Sequence, residues 1–98
     1  MKVRFLQSGG FAGMVRGCEL DSAALAPELA RELEQLVGQS QITPGEYLSE
    51  TARDLQQYEI TIENGGSVSV VFDDANIPAS ARPLLNFLKK LARPTTLK

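Results

Sequence analysis

The chain contains no histidine, so the commonest general base and the commonest transition-metal ligand are both missing. Carboxylates are what remains for acid-base or metal chemistry. Asp73-Asp74 is the densest pair, and Glu46 is the third group that a small carboxylate-based enzyme would need, yet nothing in the sequence brings the three together. A hard cation such as calcium takes about six or more oxygens at organised spacing, and the segment from Asp73 to Ser80 offers too few. The pair reads instead as residues that end a strand and stand near a helix start, where negative charge is favoured. Asp21-Ser22 reads the same way. No catalytic residue, metal site or cofactor is expected.

The glycines of Ser8-Gly9-Gly10-Phe11-Ala12-Gly13 could suggest a phosphate loop. Such loops open a helix and carry a Lys-Ser/Thr pair, whereas these glycines join two strands. What stands out is Phe11, a large apolar side chain beside flexible glycines. Turned inward it is core; turned outward it is an anchor that fills a partner's pocket. Cys18 is the only cysteine, which excludes an internal disulfide and reads as a small buried apolar side chain. The basic run Lys89-Lys90-Leu91-Ala92-Arg93 falls where cations complement a helix C-terminus.

The elements that position these residues follow from periodicity. Residues 2–8 and 11–20 read as strands about the Gly9-Gly10 turn, with a two-residue loop pairing Phe5 with Met14 preferred, because a three-residue loop sets Arg4 opposite Arg16. A second hairpin joins 58–63 to 67–70. If Asn64-Gly65-Gly66 is its loop, Ile62 faces Val68, Ile60 faces Val70 and Tyr58 faces Phe72 on one apolar side, which selects a turn with glycine in the left-handed position. A helix is expected over 27–37, with Leu25, Leu29, Leu33 and Leu36 on its stripe and Gly38 as its stop. A second is expected over 80–92, capped by Ser80, with Ala81, Leu84, Leu85, Leu88 and Leu91 on its apolar side and Pro94 beyond its end. Thr43-Pro44-Gly45-Glu46 has capping-box spacing and predicts a short helix in the long 38–56 connection. The fold class is α+β: one domain over residues 1–98 in ββαββα order, its four-stranded, mainly antiparallel sheet carrying two helices on one face.

Composition bounds the partners. A chain of 98 residues with 43% apolar and 22% charged residues suits one folded domain. Its net charge of −2 gives no field for collecting nucleic acid. No segment is long and apolar enough for a signal peptide or a membrane span, so a cytoplasmic location is expected, with no membrane partner. These features point to a domain that acts by binding another macromolecule.

The glycine-phenylalanine hairpin, Arg16, Asp21 before a Pro-containing leucine helix, Tyr58-Glu59-Ile60 leading into Asn64-Gly65-Gly66, Ile77-Pro78 and Arg82-Pro83-Leu84-Leu85 form a series that resembles the emfourin family over almost the whole chain. The resemblance implies a bacterial protein inhibitor of thermolysin-like zinc metallopeptidases of the protealysin type. Such a protease has a deep cleft with a catalytic zinc and a pocket for bulky apolar side chains. Chemistry and shape then nominate two contact segments: Gly9, Gly10, Phe11, Ala12 and Gly13, and Asn76, Ile77 and Pro78, with Phe11 and Ile77 as anchors. Direct zinc ligation would fall to Asp73, Asp74, Cys18 or the amino terminus; occlusion of the cleft is the preferred reading. Such an inhibitor is expected to be monomeric until a protease is added. The alternative is a homodimerising or adaptor module that pairs through an exposed strand edge.

Overall fold

The computed structural model describes residues 1–9, 15–49 and 56–94. Within them the chain forms β1 (Lys2–Gly9), β2 (Arg16–Asp21), α1 (Pro27–Ser40), β3 (Gly45–Tyr47), β4 (Gln56–Glu63), β5 (Ser67–Asp73), a 3-10 turn (Ala79–Ala81), α2 (Arg82–Leu91) and β6 (Arg93–Pro94). The strands make one six-stranded sheet in the order β3-β5-β4-β1-β2-β6. Its inner four strands are antiparallel, as the pattern predicts. The sheet is nevertheless mixed, because β3 joins β5 in parallel, and it is wider by the two short strands at its edges.

Alternation explains the central strands. Val3 and Phe5 of β1, Tyr58, Ile60 and Ile62 of β4, and Val70 and Phe72 of β5 are buried on one face beneath Leu33 of α1 and Leu84, Leu85 and Leu88 of α2. The opposite face carries Arg4, Glu59, Glu63 and Ser69, all exposed. The second hairpin has the expected register, with Ile62 opposite Val68, Ile60 opposite Val70 and Tyr58 opposite Phe72. Its loop closes through a bond from the Asn64 amide to the Gly66 carbonyl (2.9 Å), and Gly65 takes the left-handed conformation at φ 75°.

The first hairpin differs from its prediction. Phe5 faces Cys18, not Met14, so residues 10–15 connect the strands. This register places Arg4 opposite Glu19, with Nε and Oε2 3.2 Å apart, and Val3 opposite Leu20. It satisfies charge and apolar matching together, which neither tighter loop could do.

Three further expectations are corrected. Thr43-Pro44-Gly45-Glu46 does not start a helix: Gly45–Tyr47 is the edge strand β3. A single helical turn nucleates poorly, whereas extended backbone there can bond to the edge of β5. Helix α1 runs through Gly38 to Ser40, and the left-handed residue that stops it is Gln41, at φ 49°. The extra turn is held because buried Ser40 donates to the Val37 carbonyl (2.7 Å) and accepts from Ser80 Oγ at its own carbonyl (2.8 Å). Ser80 is therefore a tie between the helical segments and not a cap; α2 proper begins at Arg82. On the helix stripes Leu33, Leu84, Leu85 and Leu88 are buried, while Leu29 and Leu91 are exposed.

Helix α2 crosses the inner face toward β2. The Cys18 thiol lies 3.8 Å from the Leu88 carbonyl, Arg16 donates to the Ala92 carbonyl at 3.0 Å, and Arg93–Pro94 then pairs with Arg16 and Gly17 as β6. Among the described residues, no helix is long and apolar enough to cross a membrane.

Candidate functional site

Strand register assigns the predicted contact segments to one end of the sheet. Gly9, the last residue of β1, faces Gln56, the first of β4; the next residue, Gln57, faces Asp73, the last of β5. Gly9 and Asp73 therefore stand two strands apart, about 10 Å at ordinary strand spacing. The connections 10–15, 48–55 and 74–78 all leave from this end, and β6, after α2, reaches it with Pro94 opposite Arg16. Gly10, Phe11, Ala12 and Gly13 lie outside the described residues. Of the second segment, Asn76 and Pro78 are exposed, whereas Ile77 is half-buried and packs against the core. Ile77 is thus part of the loop's foundation, not a projecting side chain.

Two polar clusters hold this end. In the first, Asp73 is buried at 2% exposure and its carboxylate faces three N–H groups. Oδ2 accepts from the Ser49 amide at 2.6 Å, while Oδ1 accepts from the Ala75 amide at 3.0 Å and from Asn76 Nδ2 at 2.8 Å. Asn76 Nδ2 also donates to Ser49 Oγ at 3.0 Å, closing a ring of Asp73, Ser49 and Asn76. These bonds, the Ser49 amide first, outweigh the opposing effect of burial and hold the Asp73 carboxyl below the usual carboxylate range. Asp73 is an acceptor inside the molecule and not the helix-start charge that the sequence suggested.

The second cluster surrounds Tyr58. Its ring is stacked with Phe5 (centroids 6.3 Å apart) and tilted against Phe72 (6.1 Å), with Lys89 Nζ 5.3 Å above it. Its hydroxyl donates to Asp74 Oδ1 at 2.5 Å, and the Gln56 amide donates to Asp74 Oδ2 at 3.3 Å. Burial first, then the neighbouring Asp74 carboxylate, pushes the Tyr58 phenol well above its ordinary value. Gln7 Nε2 donates to Gln56 Oε1, tying β1 to the start of β4. Sequence reasoning missed these partners. The available signal was Asp73-Asp74-Ala75-Asn76, a run of turn-forming side chains directly after an alternating strand.

Beside the Asp73 ring is an open cleft of about 280 Å³, lined by Gln41, Ile42 and Thr43 after α1, by Tyr47, by Val70 and Phe72 of β5, and by Asn76 and Pro78. Tyr47 and Leu48, on and just past β3, are 40% and 39% exposed.

The groups nominated for zinc are all engaged. Asp73 and Asp74 accept the bonds described above. Cys18 is half-buried, and burial pushes its thiol above the ordinary value. The amino terminus donates to Ser22 Oγ at 3.2 Å, on the end of the sheet opposite the loops. Among the described residues, no three metal-binding side chains cluster, and the third carboxylate of the enzyme reading, Glu46, is exposed on β3.

A family model described as Emfourin matches residues 5–89, from Phe5 within β1 to Lys89 within α2. No curated protein and no solved structure matches the chain.

Proposed function

Because the chain belongs to the Emfourin family, which implies a protease-inhibitor role, we propose that it inhibits thermolysin-like zinc metallopeptidases of the protealysin type by occluding the active-site cleft. The observation that carries this reading is the convergence of the connections 10–15, 48–55 and 74–78 on one end of the sheet. A cleft-blocking protein needs contact segments presented from one end of a packed support, and the central strands of the sheet supply that support. Gly9, Gly10, Phe11, Ala12 and Gly13 form one contact segment, with Phe11 as the apolar anchor; Asn76 and Pro78 supply the second, supported from below by Ile77.

Inhibition proceeds without a zinc ligand from this protein. Asp73, Asp74, Cys18 and the amino terminus each have internal partners, so giving any of them to the metal would break bonds that hold the fold. The edge-pairing alternative draws less support. The edge strand β3 is three residues long, and on the other edge Pro94 has no N–H to offer a second chain. The free protein is accordingly a monomer.

The test is the activity of thermolysin with and without an equimolar amount of the protein. Loss of proteolysis is expected, with Phe11→Ala weakening it while circular dichroism stays at wild type. Full activity at equimolar protein would remove the inhibitor reading and leave edge-mediated pairing, which size exclusion would then report as a dimer.

A further inference from the structure

We propose that Asp73 is a positioning residue for the contact surface: its buried carboxylate fixes the position of Ser49 against the 74–78 connection before a protease arrives. The proposal rests on the inhibitor reading above and adds to it the device that makes the loops ready to bind.

The argument lies in where the bonds of Asp73 go. Its bonds to Ala75 and Asn76 are local and would form in any tight turn after a strand. The bond from the Ser49 amide is not local, since Ser49 is 24 residues away in sequence. Asn76 then bridges back to Ser49 Oγ, so Ser49 is tied twice, once to Asp73 and once to Asn76. All three donors to the carboxylate belong to connections; none belongs to a helix or to the core. The backbone pairing of β3 with β5 at Gly45–Tyr47 and the packing of Tyr58, Ile60 and Phe72 proceed without it. A buried charged acceptor whose bonds all serve loops sets loop geometry.

The ring also sets the width of the neighbouring cleft. Tyr47, two residues before Ser49, lines one side, and Asn76 and Pro78 line another. With the ring closed, the walls are held at one spacing. With it open, the contact surface becomes one of several arrangements, and the protease can engage only the fraction of molecules in the competent one. That loss appears in the association rate. Loss of a direct contact appears instead in the dissociation rate, where most contact effects reside.

Asp73→Asn separates the two roles. An amide can keep an oxygen toward Ala75 and Asn76, but its NH2 then meets the Ser49 N–H, donor against donor. The long-range tie opens while the local turn survives. In progress curves of thermolysin inhibition we expect association to slow about tenfold, the order that freeing several ordered side chains implies, with dissociation unchanged. Amide exchange should accelerate at Ser49 and Ala75 and stay at wild type for Ile60 and Val70. Ser49→Ala, which removes the acceptor for Asn76 but keeps the amide bond to Asp73, should slow association by a smaller factor and carries the test alone if Asp73→Asn fails to fold. Unchanged association in a folded variant, or a loss confined to dissociation, overturns the proposal. The exchange measurement needs no protease. A wild-type protein that does not inhibit therefore removes the inhibitor reading, whereas unchanged exchange at Ser49 in Asp73→Asn removes the positioning role itself.

Discussion

The two ends of the sheet are built on different principles. At one end, β4 turns into β5 through Asn64, Gly65 and Gly66, and the turn is held by one short-range backbone bond and a left-handed glycine. At the other, three longer connections flank Gly9, Gln56 and Asp73, and side-chain bonds between residues far apart in sequence tie the strand ends and join Ser49 to Asp73 and Asn76. The first end is a solution to chain reversal alone. The second leaves more chain between its strands and ties the described part of it through a few polar side chains.

That contrast can be tested by perturbing each end in turn. The largest effect should come from the centre that both share: Ile60→Ala removes a fully buried side chain and should cost about 2–5 kcal/mol in urea unfolding. Both ends would loosen together, and a smaller loss would mean that the sheet repacks. Gly65→Ala acts on the turn end alone. Open space surrounds the added methyl, so only the backbone penalty at φ 75° remains, about 1–2 kcal/mol. Protease inhibition by this variant should match wild type, and weaker inhibition would show that the ends are coupled. Tyr58→Phe acts on the loop end, removing the hydroxyl bond to Asp74 while the ring packing stays, for about 0.5–1.5 kcal/mol by the same unfolding measurement.

The smallest global effect, and the most selective, is that of pH. Asp73 has a lowered folded value, so its stabilising contribution is present above the ordinary aspartate range, near 3.8, and is lost as pH falls toward the folded value. Tyr58 has a raised folded value, so its contribution is complete below the ordinary value of 10.0 and is lost as pH rises past it. Both groups stand at the loop end. Amide exchange at Ser49 and Ala75 should accelerate on the acid side before the turn amide of Asn64 changes; simultaneous opening would mean that Asp73 serves the whole fold.

The same contrast explains what was legible in the sequence. The second hairpin could be read to the residue because its register follows from period-two alternation and a single glycine turn. The helix faces could be read from leucine spacing, although Leu29 and Leu91 on those stripes are exposed. The first hairpin could not, because its register is set by Arg4 meeting Glu19 and by the pairing of β1 with β4, which local turn chemistry does not encode. Gly45–Tyr47 is locally ambiguous, and the edge of β5 decides its conformation. The candidate contact segments were found by residue type and resemblance. Their support by Asp73, Ser49 and Tyr58 was hidden, since a buried carboxylate and a solvated one look alike until a partner 24 residues away is brought alongside.

The ladder between β1 and β4 joins Lys2 to Glu63 and Gly9 to Gln56 at the middle of the sheet. During synthesis, β1 and β2 leave the ribosome long before the strand that β1 must pair with. They wait as a two-stranded ribbon, a form with little stability of its own. The β4-β5 hairpin, short in sequence and matched in register, is the natural first-formed piece onto which the amino-terminal ribbon then docks. Fragments cut anywhere before β4 should therefore remain unfolded, and the sheet should assemble only once β4 and β5 have emerged.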